Sequence, residues 1–551
     1  MIKKTKESEI VKYNKKNEKI EKKIEKLETK KELDKLDEYK LEKYKIQLKC
    51  NTHIIDAYTT KDFKEAKVEK ALTSEKRRRY QILNGNMLST ILMICIPLAI
   101  YAFFNSLYNL IDQIMANNIS SKAVSNIAVI SQLKNALNAF GTGLAGGGAV
   151  VVARYYGGSK LEEAKKAAAN MLTICLIMSA IIILLLMPLA YPILKIAQTP
   201  EINDSVILYF DLCMVEMVFT AVNSIFMGLE KIKGNSKKLL LLNVMMLIIK
   251  LIFNVLFIYV IKVDSIHYLE IASIIGQLSL FVISVSVMFS KKNMLQIKFS
   301  NMLPKKIYIV PIIKLSIPIF LGKFVMNIGK TIVNALCGAF YSEATDGLIT
   351  GALGISNNLT GLVTSTTGVF EEGQSTVVSQ NIGNKNLRRT IKAFKASALC
   401  VLVIATVGFI LVSFVFLNPL TDLFVSAKNS KDGAHLAELV KQIYFYDCWS
   451  IPGLGITSIL LGLLYGYGQT FLSSILNFSR IGIRILSLIV CHAVGMDYTA
   501  AGLSMGISNI LIAVMALIFL IIFMIRLKKN GYKGMYLTDP VKEKEEFSLE
   551  S

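Results

Sequence analysis

The stretch Ile96-Pro97-Leu98-Ala99-Ile100-Tyr101-Ala102-Phe103-Phe104-Asn105-Ser106-Leu107-Tyr108-Asn109-Leu110-Ile111-Asp112 is apolar for most of its length and holds its single charge at the end. Extended back to residue 88, it is long enough to cross a hydrocarbon core, which takes about 20 residues as a helix. Further runs of this kind follow, giving expected spans at about 88–115, 122–153, 167–190, 205–228, 238–261, 267–289, 309–340, 346–379, 391–418, 437–464, 470–494 and 498–525. A helix pairs all its backbone polar groups internally, which lipid cannot do for it. The chain therefore reads as an all-α integral membrane protein with twelve transmembrane helices.

Composition agrees. Of 551 residues, 53% are hydrophobic and only 19% charged, below the quarter typical of soluble chains. The charge is concentrated at the start, where residues 1–80 hold 25 Lys/Arg and 16 Asp/Glu. This arm (1–86) is expected to be a charged helix or disordered, with a protein partner as the sharper expectation and Arg77-Arg78-Arg79 as a contact for anionic headgroups. A net charge of +22 could indicate nucleic acid. Its placement argues against that, because basic residues of the body cluster in short loops between spans. Those on the arm's side include Arg154, Lys160, Lys231, Lys233, Lys305, Lys306, Arg388 and Arg389, whereas the opposite loops hold few. The positive-inside bias puts both termini in the cytoplasm, and the cell (plasma) membrane is the expected location. The eight cysteines form no C-x-x-C pair and are expected to be buried and reduced.

The body repeats. Ile96-Pro97-Leu98 returns as Ile317-Pro318-Ile319, and Gly147 with Ala153-Arg154-Tyr155-Tyr156-Gly157 aligns with Gly373 and Ser379-Gln380-Asn381-Ile382-Gly383. Six spans separate the copies, so the halves are parallel repeats, an arrangement of secondary transporters. The expected domains are a first six-helix lobe at 87–289, a linker at 290–306, a second lobe at 307–526 and a tail at 527–551. Polar stripes run along one face of several spans: Tyr101, Asn105, Tyr108, Asp112; Lys323, Asn327, Lys330, Asn334; Ser473, Asn477, Arg480, Arg484; and the shorter Asn243, Lys250, Asn254. Polar groups are costly in hydrocarbon, so the stripes should line a central cleft between the lobes.

Chemistry narrows the function. There is no G-x-x-x-x-G-K-[ST] phosphate cradle and no H-E-x-x-H zinc pair, and no convergent catalytic set, so no enzyme is expected. Gly141–Gly148 lies in an apolar span, where close helix packing explains it. What remains is a set of intramembrane acids: Asp112, Asp211, Glu216, Glu371, Glu372 and Asp447. A buried carboxylate can bind a proton or sodium ion and release it on meeting water, the core of ion-coupled transport. Asp112 and Glu216 are the candidate coupling residues. Asn105, Tyr108, Asn327, Lys330, Lys250, Glu371, Glu372 and Arg480 are candidates for the substrate cleft. No cofactor is expected beyond the coupling ion.

Pro97, Tyr108-Asn109-Leu110-Ile111-Asp112, the Gly143–Gly157 stretch and Asn381-Ile382-Gly383-Asn384, at matching intervals in both halves, resemble the MATE (multidrug and toxic compound extrusion) family over about 87–526. The resemblance implies two six-helix lobes, a V-shaped cleft and export driven by a proton or sodium gradient. It also implies a first-lobe cation site in which Asp112 and Asn254 take two positions and Ser273 stands for a threonine. The fourth position is Ile258, which offers sodium no oxygen. Proton coupling, or a relocated sodium site using Glu216, is the expectation. The intramembrane bases balance the acids, so preference for cationic substrates should be weak, with zwitterions or anions accepted. The expected partners are thus an amphipathic small molecule and membrane lipid. The runner-up reading is a lipid-linked glycan flippase of the same superfamily.

Overall fold

A computed structural model of the chain describes residues 2–30, 35–117, 121–196, 199, 202–263, 265–345, 347–425 and 430–530. Among the described residues the regular structure is entirely helical. The arm contributes α1 (Ile2–Glu28), α2 (Lys35–Thr60) and α3 (Phe63–Asn84). The first lobe follows as α4 (Met87–Asn117), α5 (Ser121–Gly157), α6 (Leu161–Leu186), the short α7 (Ala190–Ile196), α8 (Asp204–Ile232), α9 (Ser236–Val255) and α10 (His267–Met288). The second comprises α11 (Lys306–Tyr341), α12 (Ile349–Gly383), α13 (Leu387–Ile410), the short α14 (Leu417–Val425), α15 (Ser430–Asp447), α16 (Ser450–Tyr467), α17 (Thr470–Ala493) and α18 (Ala500–Lys529).

Local sequence explains the breaks. Asn203 caps α8 by accepting a bond from the Val206 amide at 3.0 Å, the usual use of Asn ahead of a helix. Gly468 closes α16 at φ +76°, a left-handed conformation that costs glycine nothing. Outward faces are apolar: Leu184 is 74% exposed and Phe414 76%, the inverse of a soluble surface and the arrangement lipid requires. All eight cysteines are free, and seven are buried.

Eleven helical segments among the described residues are long and apolar enough to cross a membrane. The segment expected as the eighth span, α12, is not among them. At 35 residues it has the length, but it buries Ser356, Thr360, Thr367, Gln374, Ser379, Gln380 and Asn381 against protein. The expected span 437–464 is not one helix either. It breaks between Asp447 and Ser450, where Pro452 falls in the first turn of α16, a place that needs no amide donor. The arm is helical where described. Its α3 packs on the body, and Arg78 and Arg79 bond to backbone carbonyls instead of standing free for headgroups.

Candidate functional site

The lobes meet at one end of the molecule, the end that carries α3. There glycines let backbones touch. A Cβ on Gly143 would stand 2.7 Å from the Phe320 Cα, and one on Gly147 2.5 Å from the Ser316 amide nitrogen. At the tips of α5 and α12, Gly157 lies against the Gln380 carbonyl and Gly383 against the Arg154 carbonyl. The side chain of Arg154 reaches the Gly466 carbonyl at 3.3 Å, and Gln380 donates to the Ile232 carbonyl at 2.8 Å. Small residues that permit such approach are how membrane helices gain van der Waals contact. This end is sealed. Glu372, expected in the cleft, belongs to the seal: it pairs with Lys231 of the first lobe and is about half exposed.

Beyond the seal lies a cavity of about 340 Å³ between the lobes. The first lobe supplies Asn135, Asn138, Ala139 and Thr142; the second supplies Lys323, Asn327, Lys330, Glu371, Ser458, Tyr465, Asn477 and Arg480, among others. The side chain of Asn327 ties across to the Asn135 carbonyl at 3.0 Å. The expected stripes on the seventh and eleventh spans therefore do converge, through α11 and α17. Three cations and one carboxylate face this space. Among the described residues none of Lys323, Lys330, Arg480 and Glu371 takes part in an ion pair within 4 Å. Arg480 is only 6% exposed, and its Nε has no hydrogen-bond partner. A buried guanidinium with unsatisfied donors is costly unless an acceptor arrives.

Other expected cleft residues lie elsewhere. Tyr108 and Lys250 are drawn into the first lobe: the Asn254 side-chain amide donates to the Tyr108 hydroxyl at 2.7 Å, and the Lys250 ammonium stands 4.5 Å from that ring's centre. They do not line the cavity, and neither does Asn105, half-buried on α4. Asp112 lies in α4, but its side chain is outside the described residues. Ser273 spends its hydroxyl on the Leu269 carbonyl at 3.1 Å. Ile258 sits in a wide π-type turn, Leu256–Ile261, and packs among Ile130, Tyr209, Phe210 and Met214.

A first-lobe cluster lies nearby. The Lys134 ammonium of α5 meets the Glu216 carboxylate of α8 at 2.5 Å and both oxygens of Glu270 of α10 at 2.9 Å. Both glutamates are buried. Glu270 was not legible as an intramembrane acid, because it stands at the start of a span, where a solvated carboxylate is the ordinary expectation. Its spacing to Ser273, Gln277 and Ser284 was the available signal, since these share one helical face. Gln277 and Ser284 do bond to Asn223 across the lobe. In the second lobe Asp447 accepts from Ser356, Thr360 and Ser450, each at 2.9 Å. It is a node satisfied by three hydroxyls.

Comparison with known proteins places these features. The sequence profile of the MatE family matches residues 97–256 and 318–490, two blocks that begin at Pro97 and Pro318, the equivalent helix prolines of the repeat. No curated protein matches the chain. Among solved structures, a MATE in complex with MaL6 superposes with a TM-score of 0.73 at 16% identity, over 82% of this chain and 99% of that one. A MOP superfamily transporter from Pyrococcus furiosus, described by the reverse polarity of its binding pocket, gives 0.73 at 16%, over 82% and 98%. An outward-facing multidrug resistance MATE transporter gives 0.71 at 15%, over 82% and 98%. With its two matched halves spanning more than half its length, the chain belongs to the MatE family.

Proposed function

We propose that the protein is an ion-coupled antiporter that exports amphipathic small molecules through the interlobe cavity by alternating access, and that its substrates carry an anionic or zwitterionic group. The observation that carries this reading is the convergence of Lys323, Lys330 and Arg480 on one cavity without ion-pair partners among the described residues. An anion would satisfy the buried guanidinium and gain charge-assisted bonds, whereas a cation would meet net repulsion. A pocket of reversed polarity, named for the Pyrococcus relative, fits the same reading. With the positive-inside orientation, the sealed end is cytoplasmic and the cavity belongs to an outward-facing state, as in the outward-facing relative.

A proton is the favoured coupling ion over sodium. Of the residues that the resemblance assigns to a cation cage, Ile258 is packed in an apolar cluster and has no oxygen to offer. That leaves Asp112, Asn254, Ser273 and Glu216 as coupling candidates, and the ligand lost at Ile258 weakens a cage for a hard cation. Protonation of a carboxylate needs no cage. Transport into or out of proteoliposomes, with an amphipathic anion and a cation as paired substrates, tests both parts. Faster movement of the anion under a pH gradient supports the reading. Cation transport driven by sodium alone would overturn it.

The cationic cavity also suits the phosphate-bearing head of a lipid-linked glycan, which keeps the flippase as the second reading. A flippase would translocate such a lipid and show no response of small-molecule transport to either gradient.

A further inference from the structure

Two buried carboxylates share a single ammonium in the first lobe, and that imbalance has a chemical consequence. Glu216 and Glu270 both contact Lys134. Fully ionised, the three would carry a net negative charge in a space from which both acids are almost wholly hidden, with side-chain exposures of 6% and 1%. An uncompensated buried charge is strongly unfavourable, and a proton shared between neighbouring carboxyls removes it. The titratable and charged groups that face the cluster are Lys134 from α5, Tyr209 and Cys213 from α8, and Lys250 from α9. The ammonium of Lys250 stands over the Tyr108 ring. Lys134 is itself 19% exposed, which makes it the least buried member of the three.

We propose that the Lys134–Glu216–Glu270 cluster holds one exchangeable proton and is a coupling site of the transporter. This rests on the antiport reading, and the test separates the two. Infrared spectra of the full-length protein, titrated from neutral to alkaline pH, should show a carboxylic-acid carbonyl band from this cluster that disappears on deprotonation. The band should be lost in Glu216→Gln and in Glu270→Gln, because one carboxylate facing one ammonium is balanced. It should persist in Asp112→Asn, and its midpoint should move to higher pH in Lys134→Met. A band absent from the wild type but present in Lys250→Met would overturn the proposal, since Lys250 would then supply the second positive charge. So would a band unaffected by Glu270→Gln. Proton-driven transport without the band would sink the site and leave the antiporter standing; the band without proton-driven transport would do the reverse.

A separate set of contacts concerns α3. Within two turns this helix grips both lobes at the seal. Arg79 donates to the carbonyls of Tyr156 (2.9 Å) and Gly157 (3.3 Å) and to the Ser159 hydroxyl (2.5 Å) at the end of α5. Glu75 accepts from Lys233 at 3.2 Å and from the Met294 amide of the interlobe linker at 2.8 Å. On the second lobe, Ile82 is fully buried with Phe370, Val377 and Ile382. Arg389 donates to the Ile82 and Gly85 carbonyls at 3.3 and 2.8 Å. Separating Gly157 from Gln380 requires α3 to release one lobe. We infer that α3 is a strap that holds this end closed and biases the transporter toward the opposite opening.

Spin labels on Glu162 and Lys392, one per lobe at this end, would report the separation in full-length protein. Arg79→Ala and Glu75→Gln should each raise the open fraction several-fold, with Arg79→Lys intermediate and Lys64→Ala, on an exposed position of α3, unchanged. Distance distributions in Arg79→Ala and Glu75→Gln identical to wild type would overturn the strap.

Discussion

Arg480 illustrates what single residues contribute here. Its guanidinium is buried beside Lys330 and Glu371, and its Nε lacks an acceptor. If the acceptor is a substrate anion, Arg480→Ala should weaken anion binding on the order of ten-fold, the worth of about one charge-assisted hydrogen bond. Binding of a neutral analogue should be unchanged, as measured by fluorescence titration. Asp447 is the structural counterpart. Removing it in Asp447→Ala leaves the hydroxyls of Ser356, Thr360 and Ser450 without their shared acceptor, and should cost about 2–3 kcal/mol, read as a fall in Tm. Residues like Lys323, Asn327, Lys330 and Arg480 were legible in the sequence because helical spacing on an apolar span exposes them. Tyr108 and Lys250 carried the same spacing yet turned into a lobe, since one helical face can meet either a cleft or a neighbouring helix. Which of the two it meets is settled by packing partners distant in sequence.

At the level of elements, the seal depends on glycine. Gly157→Ala and Gly383→Ala would each put a methyl group into a facing carbonyl, forcing the tips of α5 and α12 apart. Both should increase solvent access at this end, measured as faster hydrogen exchange in residues 150–157 and 376–383, whereas Gly361→Ala, which meets open space, should not. The arm responds to pH through its own ion pairs. Lys70 holds Glu9 below the usual carboxylate range, and His53 with Lys61 does so for Glu69. A depressed carboxylate stabilises the folded arm above its unfolded value and loses that contribution as pH falls through the folded one. Exchange protection in α1–α3 should therefore drop on acidification while that of α16, which holds no acidic residue, stays. Most spans were readable from apolar length alone. The span at α12 was read on the same ground although its buried face is polar, and the break before Ser450 was hidden because both flanks are apolar. The docking of α3 was not readable, because its partners are carbonyls and loops more than 70 residues away.

For the whole molecule, the repeat is the most informative property of the sequence: it set two lobes, and a profile match beginning at Pro97 and Pro318 follows the same division. The cavity sits where the lobes meet past the seal, as alternating access requires. The proposed orientation rests on the basic loops and the proposed coupling on the carboxylates, and each is open to direct trial. The most direct is transport of an amphipathic fluorescent anion in proteoliposomes under pH and sodium gradients imposed separately. Acceleration by the pH gradient alone, abolished in Arg480→Ala combined with Lys330→Ala, is the expected result. Equal rates with and without either gradient, or rates untouched by the double substitution, would contradict a proton-coupled carrier that binds anions between its lobes.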